Sequence, residues 1–205
     1  MLLTRRQLMT GGPGPRAAAA MPARAAQPPR RYGAEHFTNV TLTTHEGKPV
    51  RFYDDLIRGK TVAINMMYAQ CDGICPTMTA NLVRVQEMLG PRVGRDVFMY
   101  SITLQPEQDT PEDLKIYAAV RGVKPGWLFL TGAPADIRLV RYRLGFFDVD
   151  PAVDGDNATH TGAVRIGNDR YDRWAMAAAL AAPEQILAAI NHLDRSVVST
   201  AAPRR

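Results

Sequence analysis

A mostly apolar run, TVAINMMY at 61–68, passes through AQCDGICPT at 69–77 straight into a segment with helical spacing. That succession constrains the fold more than any other feature of the chain. The run reads as a strand buried on both faces, bounded upstream by Gly59-Lys60. From 77 to 89, apolar residues recur at Met78, Leu82, Val85, Met88 and Leu89 and stop at Gly90-Pro91, as one face of a helix with its terminator does. A buried strand feeding a helix is the opening of an α/β sheet. The turn between them holds Cys71 and Cys75, the chain's two cysteines.

The alternation continues downstream. DVFMYSITL at 96–104 is strand-like, and Thr110-Pro111-Glu112-Asp113 opens a helix with an N-cap, a proline at the first helical position and an acidic first turn. That helix turns Leu114, Tyr117 and Ala118 inward and stops near Gly122. WLFL at 127–130 is a short buried strand, and 134–144 is a further helix whose polar side carries Arg138, Arg141 and Arg143. An acidic loop at 145–157 precedes ATHTGAVRI at 158–166, a polar turn entering a strand. Ile186, Leu187, Ile190 and Leu193 mark a closing amphipathic helix at 183–193. Upstream, VTLTT at 40–44, a turn at His45-Glu46-Gly47-Lys48 and a returning strand VRFY at 50–53 make a hairpin. The expected architecture is a single α/β sheet with helices on both faces and an N-terminal β-hairpin extension.

The beginning of the chain reads as an address. TRRQLM at 4–9 is like a twin-arginine export signal, and Ala23-Arg24-Ala25 offers a small-x-small cleavage site. Gly11 to Arg16 interrupts the segment between them, which leaves a basic tail as the other reading. Export is the reading adopted, so residues 1–26 are expected to be a signal, 27–36 a linker, 37–194 the folded domain and 195–205 a tail. The expected compartment is the periplasm, with the leader either cut or kept as a tether. Arg5, Arg6, Arg16 and Arg24 account for most of the formal charge of +5. No basic patch accompanied by aromatics survives in the folded region, which argues against nucleic-acid binding. Beyond the leader no stretch approaches ~18 uninterrupted apolar residues, the length a membrane span needs.

The cysteine pair could be a staple, a redox switch or half of a metal site. A domain of this size does not need a disulfide to fold, and a bridge from 71 to 75 closes too short a loop to stabilise much. Placed at a helix N-terminus, both thiols gain acidity from the unsatisfied N–H groups there, which serves nucleophile and ligand alike. Three residues between the cysteines, where disulfide oxidoreductases have two, let both sulfurs converge on one ion. Two cysteines exclude Cys₄ zinc and iron–sulfur frameworks within one chain, and soft thiolates favour Cu(I), with an imidazole as the natural third ligand. His36 and His45 fall near the hairpin and read as surface residues, and His192 lies off the apolar stripe of the last helix. His160 sits where a loop enters a strand, a place from which it could close over a site on the same sheet edge. A loop histidine bonded to a neighbour is the other reading, and spacing does not separate the two. Met66, Met67 and Met78 read as core. Asp148, Asp150, Asp154 and Asp156 lack the glycine and terminal glutamate of a calcium loop and read as solvated charge. Trp127 and Trp174 read as packing residues.

A strand followed by C-x-x-x-C-P, then a helix opened by DTPEDL at 109–114, then a distant histidine before a strand, resembles the Sco/SenC family. The likeness runs from about residue 37 to 194. It implies a thioredoxin-like fold with a central mixed sheet, copper bound through Cys71, Cys75 and His160, and help in assembling the dinuclear copper centre of cytochrome c oxidase. The chain departs from the family at Tyr68-Ala69-Gln70 and Gln105-Pro106, where members often carry an aromatic-Thr pair and an Asp-Pro step, and the family's usual membrane anchor is not expected here. The expectation is a copper metallochaperone. Its cargo is copper, as Cu(I) or Cu(II), and its partners are a copper-receiving oxidase subunit or another periplasmic copper protein, with possible association to a membrane-bound client, and a thiol reductant. The alternative is a thiol–disulfide oxidoreductase in which Cys71 and Cys75 are the redox-active pair and keep client cysteines reduced. A peroxidase-like thioredoxin relative is a third option.

Overall fold

The computed structural model describes residues 32–160 and 162–194, apart from the side chains of Ala158 and His160. The expected signal at 1–26 and the tail at 195–205 lie outside the described residues. The first element, α1 (Ala34–Phe37), begins within the stretch read as linker and buries Phe37, the expected first residue of the domain. Strands β1 (Thr41–Thr44) and β2 (Pro49–Arg51) form the hairpin in the register Leu42↔Val50. Its turn is closed by the Thr44 hydroxyl, which accepts the N–H groups of Glu46 (3.3 Å) and Lys48 (3.2 Å). Gly47 supplies the left-handed step at φ +78°.

The returning strand stops at Arg51, two residues short of expectation. Phe52–Ile57 instead forms a π-helical turn, in which the Arg58 N–H donates to the Tyr53 carbonyl five residues back. The reason is burial: Phe52, Tyr53, Leu56 and Ile57 all enter the core, and a strand would have pointed Phe52 and Tyr53 to opposite faces. The Asn39 side chain holds the start of the turn by accepting the N–H groups of Tyr53 and Asp54, both at 3.1 Å.

Strand β3 (Thr61–Met67) is buried at every residue, as the apolar run required. It leads through the cysteine loop into α2 (Cys75–Leu89). Next come β4 (Val97–Thr103), α3 (Pro111–Val120), β5 (Trp127–Gly132) and α4 (Pro134–Leu144). A capping box between Thr110 and Asp113 starts α3, and Gly145 in the left-handed region ends α4. The short α5 (Pro151–Asp154) and a 3₁₀ turn, Asn157–His160, lie within the expected acidic loop and its polar exit. The chain then forms β6 (Ala163–Asn168), β7 (Arg173–Ala178) and α6 (Pro183–Asp194).

Among the described residues the strands form one sheet in the order β2-β1-β5-β4-β3-β6-β7. Strands β3, β4 and β5 run parallel, while β6 and β7 are antiparallel additions on one side. On the other side β1 pairs antiparallel with β5, so the hairpin extends the main sheet. Helices α2, α3 and α6 cover one face, where Leu82, Leu114 and Ile186 pack on Ala63, Met67 and Phe129. The π-helical turn, α1 and α4 cover the other, with Ile137 and Val140 on Ile64, Met66 and Tyr100. Alternation along β3 therefore sends Met66 and Met67 to opposite cores. No helix among the described residues is long and apolar enough to cross a membrane.

Candidate functional site

The three parallel strands end on one edge of the sheet, and the cysteine loop leaves that edge from β3, between β4 and β6. Cys71 is 6% exposed and its N–H donates to the Tyr68 carbonyl at 3.3 Å, which folds the loop back on the end of β3. Cys75 is fully buried as the first residue of α2, with Pro76 at the second position, where no N–H is needed. Both cysteines are free thiols.

The Cys71 sulfur is surrounded by donors. Burial pushes its thiol pKa up, but hydrogen bonds from the Cys75 and Tyr68 side chains and from the backbone N–H groups of Cys75 and Gly73 more than offset this and leave it below the usual thiol value. The same contact acts on its partner. Hydrogen bonding to Cys71, reinforced by burial and the nearby thiols, pushes the Tyr68 phenol up to about 12. A neutral phenol donating to a sulfur whose thiol is made more acidic is an arrangement that suits a reactive or metal-binding cysteine.

The loop is fixed from below by Asp109. Its Oδ2 accepts the Ala69 N–H at 3.0 Å and the Thr103 hydroxyl, joining the loop before α2 to the end of β4 and the turn before α3. Burial pushes the Asp109 carboxyl up against these hydrogen bonds. Under the first turn of α2 lies a buried polar chain, in which the Trp127 indole N–H donates to Ser101 Oγ (2.9 Å) and that hydroxyl to Asn65 Oδ1 (2.8 Å). The Asn65 amide in turn faces the Met78 sulfur at 3.8 Å. Met67 and Met78 lie in the same core cluster as the cysteines, fully buried, as core packing required.

His160 closes the 3₁₀ turn, and its imidazole lies outside the described residues. Its backbone position is set by the sheet. The register Asn65↔Val164 brings the start of β6 to the end of β3, the edge from which the cysteine loop departs. A Cβ added to Gly162 would lie 3.7 Å from Ile74 Cδ1, so the chain two residues past His160 packs on the residue before Cys75. Among the described residues, no group of three cysteine, histidine or acidic side chains gathers at metal-binding distance. Two neighbouring thiols at the edge of the apolar core, one of them made more acidic than usual, fit a soft cation such as Cu(I) better than a hard one.

The other histidines depart from the surface reading, except for His192, which is exposed. His36 is half-buried between the rings of Tyr32 and Phe37, and burial together with Arg143 and Arg165 holds it below the ordinary histidine range. His45 accepts the Phe129 N–H on Nδ1 at 3.1 Å and so ties the hairpin to β5. The acidic loop is occupied with itself: Asp154 binds Arg141 at 2.7 Å and accepts the Asp148 N–H, while Asp148 and Asp150 accept N–H groups two residues on. Tyr68 and Asp109 were not singled out as site residues by sequence. Asp109 was visible within DTPEDL only as the approach to a helix.

Residues 27–194 match the family model described as SCO1/SenC. The chain belongs to the SCO1/SenC family. It is 32% identical over 105 residues to the SCO1 protein homolog of Bacillus subtilis, an overlap covering 51% of each. The chain thus spans about half the length of the curated relatives it matches. Among solved structures, it is similar to a SCO1/SenC family lipoprotein from Bacillus anthracis, with a TM-score of 0.63 at 22% identity over 78% of this chain and 95% of that one. It is also similar to Bradyrhizobium japonicum ScoI with copper bound, with a TM-score of 0.59 at 27% identity over 76% and 97%. The mixed sheet flanked by helices is the thioredoxin-like fold of these SCO1/SenC structures.

Proposed function

We propose that this SCO1/SenC chain is a copper metallochaperone that takes Cu(I) on Cys71 and Cys75, with His160 as the third ligand. It releases the ion by ligand exchange to a copper-receiving protein. The observation that carries this reading is the Cys71 thiol, hydrogen-bonded to Cys75 and Tyr68 on the sheet edge where β6 begins. Loading displaces the thiol protons, and the donors around Cys71 lower the cost of that step. Tyr68 and the Gly73 N–H orient the sulfur, and Asp109 holds the loop that presents it. The copper-bound relative and a family described as cytochrome c oxidase assembly proteins support copper as the cargo and an oxidase subunit as the recipient. The expected compartment is the periplasm, with residues 1–26 as the export signal.

A second reading uses the same sulfurs. Cys71 as a thiolate attacks a client disulfide, Cys75 displaces the mixed disulfide, and two electrons pass to the client as the pair oxidises; a thiol reductant then restores it. Two adjacent free thiols favour this reading equally. An anaerobic Cu(I) competition titration of the reduced protein separates them. Uptake of one copper, lost in Cys71→Ser and weakened in His160→Ala, is expected. Absence of uptake by the reduced protein overturns the chaperone reading in favour of the reductase.

A further inference from the structure

A cavity of about 370 Å³ opens between α1, the end of α4 and β6, and its wall contains two arginines and a histidine but no carboxylate. The contrast with the other cation-bearing cavities is informative. The one lined by Arg95 and Arg170 contains Asp96 and Asp194, and the one lined by Arg138 and Arg141 contains Glu107 and Asp154. Among the described residues, neither Arg143 nor Arg165 makes an ion pair, whereas Arg141 on the same helix is bonded to Asp154. Arg165 is held in place: its guanidinium lies over the Trp174 ring at 5.7 Å and is hydrogen-bonded to Tyr32. Arg143 is exposed on the last turn of α4. Both arginines act on His36 as neighbouring positive charges, and Asp172 acts on it in the opposite sense. A concave site with two guanidinium groups, one of them held against Trp174 and Tyr32, and no carboxylate in its wall suits carboxylate ligands.

An apolar track leads away from it. Tyr142 and Phe147 stand against each other at 4.6 Å and are both exposed. Phe147 and Gly145 also line a second cavity, of about 360 Å³, which runs past the exposed Met176 to Gly162 and Ala163; its one carboxylate, Asp148, lies on this apolar stretch and away from the two arginines' cavity. Gly162 is the residue that packs on Ile74, beside Cys75. The groove therefore begins at the arginines and ends at Gly162, which packs on the residue before Cys75.

We propose that this groove docks an acidic, aromatic-bearing segment of the polypeptide that exchanges copper with the cysteine site. Its carboxylates sit on Arg143 and Arg165 and its apolar side chains on Phe147 and Met176. The proposal rests on the chaperone reading for the purpose of docking but not for the binding itself. A polypeptide fits better than a lipid surface, because the cations lie at one end of a concavity and not across a flat face, where juxtamembrane basic residues attract lipid headgroups. Such charges set the encounter rate and orientation, and buried aromatic contacts add affinity.

The test is an NMR titration of the ¹⁵N-labelled, reduced full chain with a short blocked peptide of alternating glutamate and phenylalanine, beside its lysine counterpart. The glutamate peptide is expected to shift the amide signals of Tyr32, His36, Phe147 and Met176. Its affinity should fall about tenfold in Arg143→Glu and less in Arg165→Lys, which keeps the charge. Arg143→Glu should also gain affinity for the lysine peptide, a gain that a misfolded variant does not show. Glutamate-peptide binding that is indifferent to Arg143→Glu, or shifts confined to another face, overturns the proposal. Anionic vesicles that shift these signals while the peptide does not would replace it with a membrane surface. Cu(I) uptake is measured on the same samples. Peptide binding without copper uptake by the wild type sinks the chaperone reading alone, and copper uptake without peptide binding sinks the docking site alone.

Discussion

Asp109 accepts the backbone N–H of Ala69 at 3.0 Å, so a buried carboxylate before α3 holds the chain two residues ahead of Cys71. Asp109→Ala leaves that N–H without its acceptor, at a cost of about 1–3 kcal/mol, and frees the loop that presents the sulfur. Urea denaturation should show the loss and Cu(I) affinity should fall with it. Because burial raises the Asp109 carboxyl, the folded state binds the proton more tightly than the unfolded state. Its contribution is therefore fully present below the unfolded carboxylate pKa and is lost as pH rises through the folded one. Asp109→Asn should flatten that portion of the stability–pH curve, and an unchanged curve would remove Asp109 from this role.

Tyr68→Phe deletes one of the donors that hold the Cys71 thiol below its usual value. Thiolate absorbance followed against pH should show the Cys71 transition moving upward, with the fold intact by circular dichroism. A transition that stays put means that the Cys75 side chain and the backbone N–H groups of Gly73 and Cys75 suffice without Tyr68.

Gly167→Ala places a methyl group 2.1 Å from the Trp174 ring, inside any contact that real atoms make. The ring cannot yield freely, since it packs on Phe37 at 4.4 Å and beneath Arg165. Overpacking of this kind costs about 1–3 kcal/mol, which thermal unfolding would register as a lowered Tm. A Tm equal to wild type would mean that β7 is not seated on β6 as described.

Met78→Leu keeps volume and apolarity in the cluster below the cysteines and should cost under about 1.5 kcal/mol. Cu(I) affinity should be unchanged in competition titration. A marked fall would add the thioether to the ligand set.

The strand-to-helix step at 61–89 was legible because both periodicities are local, and so was the placement of the cysteine pair. β7 was not foreseen: Arg173–Ala178 is an edge strand, partly exposed, whose signal lies in its pairing with β6 and not in its own alternation. The π-helical turn hid behind two adjacent aromatic residues that mimic a strand end. Surface readings of His36 and His45 failed because the rings and N–H that engage them belong in part to distant elements, Phe129 among them, 84 residues from His45. Asp109 lies 40 residues from Ala69, a distance at which no spacing rule operates.

Cys75 is both the first residue of α2 and a member of the core that contains Leu82, Phe129 and Ile186. Whatever bonds to its sulfur bonds to the interior of the protein, so occupancy and folding draw on one free energy. An ion held on these thiols would therefore raise the melting temperature of the chain. Copies with nothing on their sulfurs would then open more often than loaded ones, and proteolysis would sort the two.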